Sequence, residues 1–87
     1  MYTDSYSEEI TSKLAKLKKK DSTQYDTVDK KMQWILVNPQ KRFKDLHHSM
    51  KGMKRIHIGS SVLVFIIDPI NKIVSFEDYD LHDKIYK

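Results

Sequence analysis

Met53-Lys54-Arg55-Ile56-His57-Ile58-Gly59-Ser60-Ser61-Val62-Leu63-Val64-Phe65-Ile66-Ile67-Asp68-Pro69 is the stretch that decides the fold. Its first six residues alternate, with Ile56 and Ile58 on one face and Arg55 and His57 on the other, which is the period of a half-buried strand. Gly59-Ser60-Ser61 reads as a tight connection. Residues 62–67 are almost wholly apolar and largely β-branched, so they form a central strand covered on at least part of both faces. Asp68-Pro69-Ile70-Asn71-Lys72 has turn chemistry. Residues 73–78 then supply a further strand through Ile73, Val74 and Phe76.

Upstream the period changes to 3.6. Ser7 is placed to cap a helix whose first turn holds Glu8 and Glu9, where acids suit the positive end of the helix dipole. Ile10, Leu14 and Leu17 make one apolar stripe, and Lys13, Lys16, Lys18, Lys19 and Lys20 crowd around it toward the C-terminal end. Asp21 with Gln24 resembles a capping box that opens a second helix carrying Tyr25, Val28, Met32, Ile35 and Leu36. Asn38-Pro39 closes it, because proline disfavours helical backbone in the residue before it. Two antiparallel helices laid on a three-stranded antiparallel sheet bury both amphipathic faces, an α+β solution. The expected core joins Ile10, Leu14, Leu17, Val28, Met32 and Ile35 to Ile56, Ile58, Leu63, Phe65, Ile67 and Phe76. Residues 2–6 are a candidate N-terminal edge strand. Residues 81–87 either cross back over the sheet or form one short turn.

With 87 residues, one domain spanning 1–87 is expected, able to bury about 64% of its extended surface. There is no cysteine, which excludes disulfides, thiolate catalysis and cysteine-bound metals and fits a reducing cytoplasm. No basic-then-apolar leader opens the chain, and its longest apolar run falls far short of the ~20 residues of a membrane span. A cytoplasmic protein with no membrane partner is therefore expected. The net charge of +4 is unevenly distributed. Residues 41–55 hold six basic residues and one acid, whereas residues 68–83 hold five acids and one lysine. Such polarity suits a polyanion at one face and a cationic partner at another.

Candidate chemistry gathers in two places. Lys51, Lys54, Arg55 and His57 cluster, and Arg55 and His57 share one strand face about 7 Å apart. Arginine forks onto phosphate oxygens, and histidine exchanges a proton near neutral pH. In the tail, His82 is a proton carrier or a structural donor, and Tyr86 stacks on a base, binds a phosphate or fills the core with Leu81 and Ile85. Merely solvated charges remain the alternative for the strand. His47-His48 and His82-Asp83 are adjacent pairs without ligand spacing, so no metal is expected. Ser60 and Ser61 lack a nucleophile elbow. Trp34, beside the second helix's apolar stripe, reads as core or as partner-interface packing.

The order of these features resembles the RelE/ParE toxin superfamily, and most of all its small archaeal RelE-like members. A Ser-Glu-Glu-started helix with a Lys-rich end leads to a second helix closing in Asn38-Pro39. Then come Phe43-Lys44-Asp45-Leu46, Lys54-Arg55-Ile56-His57-Ile58-Gly59, the apolar strand and Asp80-Leu81-His82-Asp83-Lys84-Ile85-Tyr86. The resemblance implies the toxin of a type II toxin-antitoxin pair, a metal-independent and cofactor-free endoribonuclease that cuts mRNA on the ribosome and is silenced by a cognate antitoxin. It implies attack of a 2′-hydroxyl on the adjacent phosphorus, leaving a 2′,3′-cyclic phosphate. Carried over, Arg55 and His57 fall where the family places its two strand basic groups and Tyr86 at its closing tyrosine; with His82 of the tail these are the catalytic candidates, and the basic residues Lys51, Lys54 and Lys84 are the RNA-binding ones. The antitoxin is expected to lay an acidic or amphipathic helix on the helical hairpin. One departure stands out: many active members carry Tyr-Arg where this chain has Ser61-Val62. A catalytically impaired protein that binds antitoxin or RNA, and a ParE-like gyrase inhibitor, are the alternatives.

Overall fold

A computed structural model describes residues 1–46 and 52–86. The elements run β1 (Thr3–Tyr6), α1 (Glu8–Lys20), α2 (Ser22–Val37), β2 (Lys44–Asp45), β3 (Met53–Ile58), β4 (Ser61–Asp68), β5 (Ile73–Leu81) and α3 (His82–Ile85). The sheet has five strands in the order β1-β5-β4-β3-β2, not three. β1 is the candidate edge strand and lies parallel to β5, with Thr3 beside Ile73 and Tyr6 beside Phe76. All other pairings are antiparallel. β2 was not foreseen, since two exposed polar residues carry no hydrophobic period.

The helices start where local chemistry says they should. Ser7 Oγ accepts from Ile10 N at 3.1 Å, and Asp21 Oδ1 accepts from Gln24 N at 3.1 Å. The second cap is only half a capping box, because the Gln24 amide donates instead to the Tyr79 hydroxyl at 3.0 Å and ties α2 to β5. Between β3 and β4 the loop is Gly59-Ser60, with Gly59 at φ 62°, the first-position glycine that a two-residue hairpin of II′ type requires.

Ile10, Leu14, Val28, Met32, Ile35 and Leu36 of the helices bury against Ile58, Leu63, Phe65, Val74, Phe76 and Tyr79. Leu17, Ile56 and Ile67, expected inside, are partly buried at the margin of this cluster. Phe43 extends it, edge-on to Phe65 with ring centroids 5.1 Å apart. The sequence reading stopped β5 at Asp78, and the structure shows why. Val64 faces Asp78 but Phe65 faces Phe76, so Glu77 is an extra residue in β5. The bulge resets the alternation and lets both Phe76 and Tyr79 point into the core.

That bulge also anchors the first helix. β1 pairs only with residues 73–76, so among the described residues the outer edge of the rest of β5 has no strand partner. The Ser7 hydroxyl donates to the Glu77 carbonyl at 2.5 Å, and α1 packs along this edge. A helix thus covers backbone that would otherwise invite another strand.

Candidate functional site

The second face of the sheet carries Arg55 and His57 of β3 beside Val64 and Val62 of β4, which in turn neighbour Asp78 and Asp80 of β5. Val62 and Val64 are 0% and 2% exposed yet stand apart from the main core cluster. Their cover is α3, which turns back against β4 and β5. A four-residue helix holds this position because His82 N donates to the Ser60 carbonyl at 3.0 Å, hanging α3 from the β3–β4 turn. Tyr86 N then donates to the His82 carbonyl at 3.0 Å.

His82 and Tyr86 are four residues apart and share one side of this turn of helix. Their ring centroids are 4.5 Å apart, and the His82 ring lies 5.5 Å from that of His57. Three of the four catalytic candidates therefore form one loose stack of tilted rings, His57–His82–Tyr86, with interplanar angles of 34° and 37°, although 24 residues lie between His57 and His82. Asp83 approaches His82 Nδ1 only to 3.6 Å, too far for a hydrogen bond. Arg55, on the same strand face as His57, donates through Nε to the Asp45 carbonyl at 3.2 Å. Its terminal nitrogens make no hydrogen bond or ion pair among the described residues.

The RNA-binding candidates are scattered. By alternation Lys54 belongs to the helix side of β3, opposite Arg55, and its ammonium is held 2.7 Å from Asp45 Oδ1. Lys84, two residues from both His82 and Tyr86, points away from the stack into a small pocket shared with Val64, Asp78 and Ile85. Lys51, like His47 and His48, lies outside the described residues. Leu81, expected to anchor the tail, is half exposed at the end of β5. Among the described residues no group of three or more His, Asp or Glu side chains is arranged to hold a metal ion.

Sequence reasoning missed what supports the stack. Lys13 Nζ lies 2.7 Å from Asp78 Oδ1, 2.9 Å from Asp80 Oδ2 and 3.1 Å from Glu9 Oε1. Partial burial pulls its ammonium toward the neutral form, but the three carboxylates outweigh this and hold its pKa above the ordinary lysine range. Asp80 responds in the opposite sense: desolvation pushes its pKa up, and the bonds from Lys13 and from the Leu81 N–H bring it below the usual value. This group fixes the last residues of β5 just before the chain enters α3. The Glu9 and Lys13 spacing was a visible signal, whereas Asp78 and Asp80 needed the fold.

RelE4 of Methanocaldococcus jannaschii is 47% identical to this chain over 75 residues, covering 85% of the chain and 79% of RelE4. The chain belongs to the RelE/ParE toxin superfamily. A Methanosarcina mazei protein is 45% identical to this superfamily member over 87 residues, spanning 99% of one chain and all of the other. No family model matches. Among solved structures, RelE in the Escherichia coli RelBE toxin-antitoxin complex superposes with a TM-score of 0.77 at 21% identity, over 93% of this chain and 96% of that one. This likeness extends to the fold, an N-terminal helical pair on a mostly antiparallel sheet. The protein is thus a RelE/ParE-like toxin of the type II toxin-antitoxin class. No described helix is long and apolar enough to cross a membrane.

Proposed function

We propose that this toxin is a metal-independent endoribonuclease that cuts mRNA on the ribosome. The observation that carries the reading is the His57–His82–Tyr86 stack with Arg55 on the same side of the sheet. Cleavage by 2′-hydroxyl attack needs a base for that proton, a cation for the charge that grows on the phosphoryl oxygens and a surface that aligns the nucleotide. His57 or His82 takes the proton. The free end of the Arg55 guanidinium meets the phosphate. Tyr86 orients the base or phosphate, extending the aromatic surface begun by the two imidazoles. The oxygen–phosphorus bond forms as the bond to the 5′-oxygen breaks, and a proton returns to that oxygen, leaving a 2′,3′-cyclic phosphate.

Programmed ribosomes with end-labelled mRNA test this. The expected product is a 2′,3′-cyclic phosphate end whose yield is unaffected by EDTA. His57→Ala or His82→Ala should lower the rate by about 10²–10⁴ where that residue moves the proton. Metal-dependent cleavage, or no cleavage by folded protein, would defeat the reading.

A cognate antitoxin is the second partner, supported by the toxin-antitoxin complex among the structural relatives. Its docking place is α2, where Trp34 and Val37 are 39% and 62% exposed and Lys31 and Lys41 lie 5.1 and 5.9 Å from the Trp34 ring. An apolar patch rimmed by ammonium groups suits an acidic amphipathic helix. Trp34→Ala should weaken antitoxin affinity at least tenfold, on the order of a buried aromatic anchor, in an isothermal titration. Unchanged affinity would move the interface elsewhere.

A further inference from the structure

We propose that the cleft between α1 and the β3–β4 turn is a second phosphate-binding site, which holds the same RNA strand as it continues beyond the His57–His82–Tyr86 stack. The inference rests on the ribonuclease reading above. The cleft has a volume of about 630 Å³, with Ile58 and Tyr79 in its floor and Lys13, Lys16 and Lys20 along one wall. These lysines recur at i, i+3 and i+7, so they share one face of α1, the face that lines the cleft.

Two carboxylates also line the cleft, and both are already committed. Asp80 is bound by Lys13, and Asp21 is spent on the α2 cap. Lys13 is itself saturated by Glu9, Asp78 and Asp80. Lys16 and Lys20 are exposed and make no ion pair or hydrogen bond among the described residues. The uncompensated charge is therefore cationic, and the Gln24 amide and Ser60 hydroxyl add polar groups beside it.

The opposite wall ties the cleft to the site. Gly59 has no side chain, and nothing lies within 4 Å of the place a Cβ would take, so the turn offers open backbone. Ser60, whose carbonyl holds the His82 N–H, lines the same cleft. The stack and the lysine wall thus lie on two sides of one hairpin turn. His57 is only two residues from Gly59, about 7 Å of strand. A single RNA strand seated at the stack crosses Gly59-Ser60 and brings its next phosphates to Lys16 and Lys20.

Fluorescence anisotropy with labelled 2′-O-methyl RNA, which lacks the attacking hydroxyl, tests this at lengths of about 4 and about 12 nucleotides. The parent should bind the longer strand more tightly. Lys16→Glu with Lys20→Glu should remove most of that gain and reduce the log–log salt slope by about 1.4, the value for two lost single-strand phosphate contacts. Lys18→Glu with Lys19→Glu makes the same change in net charge on the same helix but outside the cleft, and should preserve the gain. Equal losses in both pairs, or none in either, would overturn the cleft while leaving short-strand binding at the stack intact. Absence of RNA binding by the parent at both lengths would overturn the cleft, whereas the ribonuclease reading stands or falls with cleavage on programmed ribosomes.

Discussion

Among the described residues, Lys13 makes the one ion cluster that links the first helix to the strand leading into the site, and its balance shows in the pH dependence of stability. Asp80 has a folded pKa below its ordinary value of 3.8, so its contribution is present above that value and is lost as pH falls through the folded pKa. Lys13 has a folded pKa above 10.5, so its contribution is present below 10.5 and is lost as pH rises through the folded value. In Lys13→Met the surviving influence of burial on Asp80 acts upward. Urea midpoints followed down through the carboxylate range should then fall less steeply than in the parent, and an unchanged acid limb would show that Asp80 does not depend on Lys13. Val62 illustrates a different constraint. It is 0% exposed between His57 and Asp80 in register, so the arginine that the family resemblance implies for this position has no room beneath α3. Val62→Arg should cost about 1–3 kcal/mol by overpacking and should lower mRNA cleavage by displacing His82 and Tyr86. A rise in cleavage with stability intact would show instead that the arginine is accommodated.

At the scale of elements, α1 is held by its apolar stripe and by the β5 edge. Leu14 is 7% exposed, so Leu14→Ala should destabilise by about 2–4 kcal/mol in denaturant melts, and a loss below about 0.5 kcal/mol would remove α1 from the core. The elements legible in the sequence were those whose period was unbroken: both helices with their caps, the β3–β4 hairpin and most of β5. Illegibility had physical causes. The bulge at Glu77 interrupts the alternation, so Tyr79 did not read as a core residue and the strand was cut short. β2 exists only because β3 offers its edge to Lys44 and Asp45. The stack was half legible: the residue types suggested phosphate chemistry, but the His82 ring reaches His57 only because Ser60 holds the start of α3. Lys54 was grouped with Arg55 by proximity in sequence, although a one-residue step along a strand reverses the face.

On the scale of the whole molecule, the polarity of the sequence is redistributed by folding. The acidic residues of β5 do not present a bare negative face, because Lys13 from α1 binds two of them. The basic β3 is likewise partly offset, since Asp45 holds the Lys54 ammonium. β5 is where these long-range connections meet: it pairs with β1 and β4, carries α1 on its outer edge and ends in α3. The main core needs β5 but not α3, whose contribution is the cover over Val62 and Val64. Two truncations separate these roles. A chain ending at Leu81 should still unfold cooperatively, with about 2 kcal/mol less stability for the loss of that cover, and should cut no mRNA because His82 and Tyr86 are gone. Ending at Lys72 removes Val74, Phe76 and Tyr79 and leaves β1 and α1 without their support, so thermal and denaturant scans should show no cooperative transition. If the Leu81 truncation also failed to fold, α3 would belong to the structural core, and the division between a self-sufficient scaffold and an appended catalytic segment would not hold.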